Sequence, residues 1–205
     1  MPGRYKESSV KKFLDQTALD QLFLEARTYN HFTGQPVDDA TIRKLYDLLK
    51  WGPTAVNCLP GRFIFLKSSE SRKRLLPCLM SGNVSKVEKA PVTIIVAQDS
   101  RFYEYLPTLW TAYDAKTPYE SDPAFAADAA FRNSSLQGAY LILAARALGL
   151  DCGPMSGFDQ SKVDREFFPD GRFKSNFLIN MGYGAEGGFY PRGTRLDFDV
   201  SVKIL

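Results

Sequence analysis

The chain has 205 residues, 44% hydrophobic and 24% charged, with a formal net charge of +3. That length can bury a substantial core and fits one domain, and the balance is that of a globular protein rather than a fibrous or disordered one. The small, dispersed positive charge, with no basic run interleaved with aromatics, excludes a nucleic-acid binder, and no stretch nears the roughly 18 apolar residues of a membrane span.

Residues 1–17 read as a mobile polar N-terminal tail without the apolar core of a signal peptide, leaving 18–205 as the folded domain. Leu19, Leu22, Phe23 and Ala26 share one face of a helix. A second helix is capped by Asp38 or Asp39, turns Ile42, Leu45, Tyr46 and Leu49 inward, and stops at Gly52-Pro53. The loop from Thr54 to Pro60 leads to a strand over 62–67. Ser69 caps a basic helix that ends near Ser81-Gly82-Asn83, with a second short helix up to Lys89. Val92 to Ala97 is apolar on both faces, so it belongs at the centre of a covered sheet.

From Asp99 to Ser121 no period is visible, but Phe102, Tyr103, Tyr105, Trp110, Tyr113 and Tyr119 make an aromatic segment suited to an ordered flap or a subunit contact. Asp122-Pro123 opens the longest helix. It is apolar almost all round beyond Leu136, which calls for cover from a second subunit. Gly149 to Asp159 follows, with three glycines and a proline in residues 149–157. It reads either as a helix-to-helix connector or as a bare backbone that can approach a flat ligand. Asp159 then caps a helix, and Phe177 to Met181 forms a strand.

The chemistry on offer is sparse. Cys58, Cys78 and Cys152 are scattered and odd in number, which points to a reducing, cytoplasmic compartment, and with His31 the only histidine a structural metal site is not expected. Ser156 lacks the elbow of a hydrolase and could draw only on His31 as a base. No phosphate loop and no dinucleotide fingerprint occurs. Arg27, Arg192 and Arg195 could fork onto a phosphate or simply be solvated, and Asn57 could address a ring or its own turn. So few acid–base groups suit a protein whose hard step is left to a bound cofactor.

Five stretches in order resemble the FMN-dependent nitroreductase family over about residues 19–198. They are Ala26-Arg27-Thr28-Tyr29-Asn30, Lys50 to Cys58, Ala130 to Gln137, Gly149 to Asp159, and Asn180 to Gly184 with the late Arg192 and Arg195. Within the family the resemblance leans to the branch that reduces malonic semialdehyde in the Rut pyrimidine-degradation pathway. It implies an α+β three-layer sandwich with a central mixed or antiparallel sheet flanked by helices, in an intertwined homodimer with FMN between the subunits. It also implies that Arg27, Thr28 and Asn30, Thr54 and Asn57, Pro154, Met155, Ser156 and Gly157, and Arg192 and Arg195 contact the cofactor. The backbone N–H groups of Ser156 and Gly157 would face flavin N5. Two departures from the family stand out: many members carry a basic pair where this chain has Ala26-Arg27 and a basic residue where it has Asn30, and many carry glutamate at Ser156.

The expected reaction is hydride transfer from NADH or NADPH through FMN to a small aldehyde acid, malonic semialdehyde giving 3-hydroxypropionate. No side-chain acid or base is assigned. Arg132 is the candidate for a substrate carboxylate, against a plain helix-surface ion pair. The alternatives are a broad nitro and quinone reductase, whose acceptors would stack on the aromatic segment, and a flavin-binding dimer without turnover.

Overall fold

The computed structural model describes residues 12–205. The expected tail therefore lies outside the described residues over 1–11. Asp15 caps α1 (Gln16–Leu19), accepting the Ala18 N–H at 2.8 Å, and a π-helical turn over Asp20–Leu24 extends it. In α2 (Asp39–Leu49) the cap is Asp38, which accepts the Thr41 N–H at 2.6 Å.

Four strands follow: β1 (Gly61–Leu66), β2 (Val92–Asp99), β3 (Asp151–Met155) and β4 (Phe173–Gly182). They form one sheet in the order β1-β2-β4-β3 with every pairing antiparallel. The sheet is thus antiparallel rather than mixed. β2 is central, as its two apolar faces require, and a bulge falls between Val96 and Ala97.

Because side chains alternate along a strand, β2 feeds two cores. Val92, Ile94 and Val96 pack with Leu45 and Leu49 of α2 and Leu141 of α7 (Pro123–Ala147). Ile95 and Ala97 pack on the other face with Leu75 of α3 (Ser69–Leu75), Val87 of α4 (Ser81–Lys89) and Val163 of α8 (Gln160–Phe167). Helices thus cover both faces, giving three layers.

α7 starts where proline and cap chemistry dictate. Asp122 accepts from the N–H groups of Ala124 and Phe125, each at 3.0 Å, and Pro123 occupies the first turn. It ends with Gly149 at φ 74°, the Gly149 N–H bonding Arg146 O and the Leu150 N–H bonding Ala145 O. This paired closure is one that glycine permits without strain.

Three expectations are corrected. The cap of α3 is Ser68, not Ser69, and α3 ends at Leu75 because Pro77 cannot continue its ladder. The segment 99–121 is not structureless: it holds a 3-10 turn (Phe102–Tyr105), α5 (Leu106–Leu109) and α6 (Lys116–Ser121). Its Phe102, Leu106 and Tyr119 share a third core with Cys58 and the start of α7. Finally, Gly149 to Asp159 is not a connector between helices, since its middle is the edge strand β3. A short α9 (Phe198–Ser201) closes the chain. None of the helices among the described residues is long and apolar enough to cross a membrane.

Candidate functional site

The outer edge of β3 is partly taken up by residues 28–29. Thr28 bridges Cys152 in parallel, and the Tyr29 N–H donates to Cys152 O at 3.0 Å. Gly153 permits this approach, because a Cβ there would overlap the Tyr29 carbonyl oxygen. On its other side Tyr29 pairs with Phe189, and their rings meet edge to face at 5.1 Å. The N-terminal segment is thus clamped between the edge strand and the returning C-terminal chain.

This clamp walls a cavity of about 550 Å³ that contains Arg27, Thr28, Asn30 and Pro154 together with Arg192 and Arg195. Six of the residues expected to contact the cofactor therefore meet in one place. Lys86 of α4 and Arg146 of α7 also line it, and sequence reasoning passed both over. Among the described residues no carboxylate lines the cavity. Five cations facing one space without a counter-charge make a site for an anion.

The arginines are held by backbone and aromatic contacts rather than by acids. Arg27 donates to Tyr190 O and lies 4.4 Å over the Phe189 ring. Arg192 donates to Leu24 O and, at 3.2 Å, to Ala26 O, while Arg146 donates to Leu22 O at 2.9 Å. Arg195 folds onto the carbonyls of Gly193 and Thr194. Burial pushes the Tyr29 hydroxyl above its usual pKa, with Asp151 adding to the rise and Arg27 opposing it. Asp151 is itself raised by burial, against the Gly184 N–H it accepts at 2.9 Å and the nearby Arg146 charge.

Beyond Pro154 the chain carries Met155, Ser156 and Gly157 away along the edge strand. Gly157 O accepts from the Met80 N–H and from Asn83 Nδ2, each at 3.0 Å. That fixes the peptide plane. The N–H groups of Ser156 and Gly157 donate to no described residue. Of this stretch only Pro154 lines the cavity; Met155, Ser156 and Gly157 do not.

Thr54, Asn57 and Arg132 do not line this cavity. Thr54 and Asn57 lie in a turn beside α7, where Asn57 Nδ2 donates to Leu109 O at 3.2 Å. Arg132 is exposed on α7 and pairs with Asp128 at 2.8 Å, the surface contact weighed against its substrate role. Trp51, Phe131, Leu136 and Tyr140 stand exposed on α7 and beyond the C-terminal end of α2, as do Leu196, Phe198, Val200, Val202 and Ile204 along the terminal arm. Among the described residues no group of three or more His, Cys, Asp or Glu could hold a metal ion.

A family model described as "Nitroreductase family" matches residues 24–183. A Rhodopseudomonas palustris protein provisionally named an NADH dehydrogenase/NAD(P)H nitroreductase is 56% identical over 187 residues, covering 91% of this chain and 95% of its own. A Polynucleobacter asymbioticus protein of the same name is 53% identical over 192 residues, with 94% and 98% covered. Among solved structures, a provisionally named nitroreductase of Bacillus subtilis superposes with a TM-score of 0.82 at 22% identity, covering 93% of this chain and all of its own. One from Exiguobacterium sibiricum, solved with FMN, gives 0.79 at 20% identity over 96% of this chain and all of its own. At those identities the structures speak for the fold alone.

Proposed function

Since the chain belongs to the nitroreductase family, we propose that it is an FMN-dependent NAD(P)H oxidoreductase. The cavity of five cations, with no carboxylate among the described residues that line it, carries this reading. Its donor set fits FMN: forked cations for a phosphate, and bare backbone for a planar ring. Arg27, Thr28, Asn30, Arg192 and Arg195 would hold the phosphate and ribityl chain, with Lys86 and Arg146 adding positive charge. Pro154, Met155, Ser156 and Gly157 would border the ring.

When bound, FMN supplies hydride transfer from NADH or NADPH to an acceptor. The chain's own share is to bind and orient the cofactor, its cations at the phosphate, and to exclude water around it.

The working form in this reading is an intertwined homodimer. The apolar residues exposed on α7 and along the terminal arm are the support, because an exposed apolar surface of that extent marks an interface. Thr54, Asn57 and Arg132 would then reach the flavin edge and the substrate of the partner's cavity, which accounts for their distance from their own. Three free, buried cysteines suit the cytoplasm.

For the acceptor, the resemblance favours a small aldehyde acid, malonic semialdehyde, whose carboxylate would take Arg132 from Asp128. A nitroaromatic or quinone is the second reading, favoured by the half-buried Trp110 and exposed Tyr113 of the aromatic segment, whose rings lie 5.7 Å apart. The test is to reduce the purified yellow protein anaerobically with each nicotinamide, then compare kcat/KM for malonic semialdehyde and a nitroaromatic. Bleaching with preference for the aldehyde is expected. Colourless protein that takes up no added FMN overturns the whole reading, and a preference for the nitroaromatic selects the second acceptor class.

A further inference from the structure

Among the described residues, the non-glycine positions with positive φ are Val56 (44°), Asn57 (53°) and Leu59 (41°). All three fall in the single turn that presents Thr54 and Asn57. A side chain with a Cβ resists this region, a β-branched valine most of all. Such a turn persists only where its neighbours over-determine it.

Two buried amides on α7 do so. Asn133 is 3% exposed and Gln137 4% exposed. Asn133 Oδ1 accepts the Ala55 N–H at 2.9 Å while its Nδ2 donates to Ala129 O at 2.8 Å, which fixes the amide's orientation. Gln137 Oε1 accepts the Gly61 N–H at 2.7 Å. Residues four apart share a helix face, so the two amides grip the turn at both ends. Between them Thr54 Oγ1 accepts the Leu59 N–H at 3.2 Å. Gly61 is matched to this grip, since a Cβ there would come within 2.7 Å of Gln137 Oε1. The exposed Asn57 side chain reaches the other way, to Leu109 O of the aromatic segment.

We propose that Asn133 and Gln137 are positioning residues for the site. They hold the left-handed turn in the conformation that sets Thr54 and Asn57 against the ligand and ties the aromatic segment to them. This rests on the reading of that turn as a flavin contact. An aliphatic side chain at either position would leave a turn N–H without its acceptor and let the turn relax.

The test uses Asn133→Leu and Gln137→Met, with Val163→Ala in the α8 core as a control of comparable stability loss. FMN dissociation constants are read from flavin fluorescence quenching, and amide hydrogen exchange is followed over residues 54–61. Asn133→Leu is expected to weaken FMN binding at least tenfold and to speed exchange at Ala55, while Val163→Ala leaves the constant within twofold. Gln137→Met carries the same expectation at Gly61 should Asn133→Leu fail to fold. Wild-type protein that takes up no FMN overturns the flavin reading and this inference with it. Wild-type protein that binds FMN beside variants of unchanged affinity overturns the inference alone.

Discussion

Gly153 of the edge strand lies so close beneath Tyr29 that no other residue fits between the strand and the Tyr29 carbonyl oxygen. Gly153→Ala must push the two segments apart and break the bond from Tyr29 N–H to Cys152 O. Overpacking of this kind costs about 2 kcal/mol. For a chain of this size that lowers Tm by roughly 4–8 °C. FMN affinity should fall further than stability does, because Arg27 to Asn30 move with the displaced segment. Thermal unfolding and FMN titration of the same variant check both, and unchanged affinity would detach the clamp from the site.

Arg27 serves to separate phosphate recognition from ring recognition. Its guanidinium faces the cationic cavity while resting on Phe189. Arg27→Gln should weaken FMN about tenfold, roughly 1.4 kcal/mol, and leave riboflavin, which lacks the phosphate, nearly untouched. Titrating both flavins decides the matter. Equal losses would mean that Arg27 supports the fold rather than an anion.

Asp99, wholly buried at the end of β2, joins Arg62 at 2.7 Å and Arg172 at 3.0 Å. Arg172 reaches on to Glu104 at 2.9 Å, so the cluster pins the aromatic segment to the sheet. Asp99→Asn removes the charge from between two arginines and should cost about 3 kcal/mol, in line with breaking a buried ion pair from one side. Urea unfolding measures that loss. Hydrogen exchange over residues 102–109 should rise in the same variant.

The cysteines set a limit at high pH. Burial pushes the Cys58 thiol up to about 11 and Cys152 to about 12, from 9.0 for an unperturbed thiol. Above pH 9 the unfolded chain loses these protons while the folded chain keeps them. Stability should therefore be intact below about pH 9 and decline as pH rises towards 11–12. Cys152→Ala should flatten that decline, as seen by denaturant unfolding between pH 8 and 11. A profile identical to wild type would show that Cys152 has no part in it.

What could be read from sequence was what local chemistry decides. Asp122-Pro123 before α7 is a cap whose partners lie within three residues, the cap of α2 narrows to Asp38 or Asp39, and Val92 to Ala97 declares its burial by composition. Tertiary pairing decided the rest. Asp151 to Met155 has neither alternation nor β-branched residues, so only β4 and the Thr28 segment make it a strand. Ser68 and Ser69 are equivalent as caps until the backbone enters the helix, and the leucine pattern there runs on past Pro77, where the helix has already ended. In the site, the resemblance picked out Arg27, Arg192 and Arg195, but Lys86 sits on a short amphipathic helix and Arg146 near the end of the mostly apolar α7, and both are marked only by where those helices end. The left-handed turn over Val56, Asn57 and Leu59 contains no glycine to announce it.

The cationic cavity draws its walls from residues 23–30, from Lys86, Arg146 and Pro154, and from residues 190–195. During synthesis it cannot exist until the last of these has left the ribosome and turned back to Tyr29 and Leu24. A ligand seated there then stabilises every element that contributes a wall, by mass action on the folded form. Uptake of the ligand would thus tie the stability of residues 23–30 to that of the segment 190–195 that returns over them.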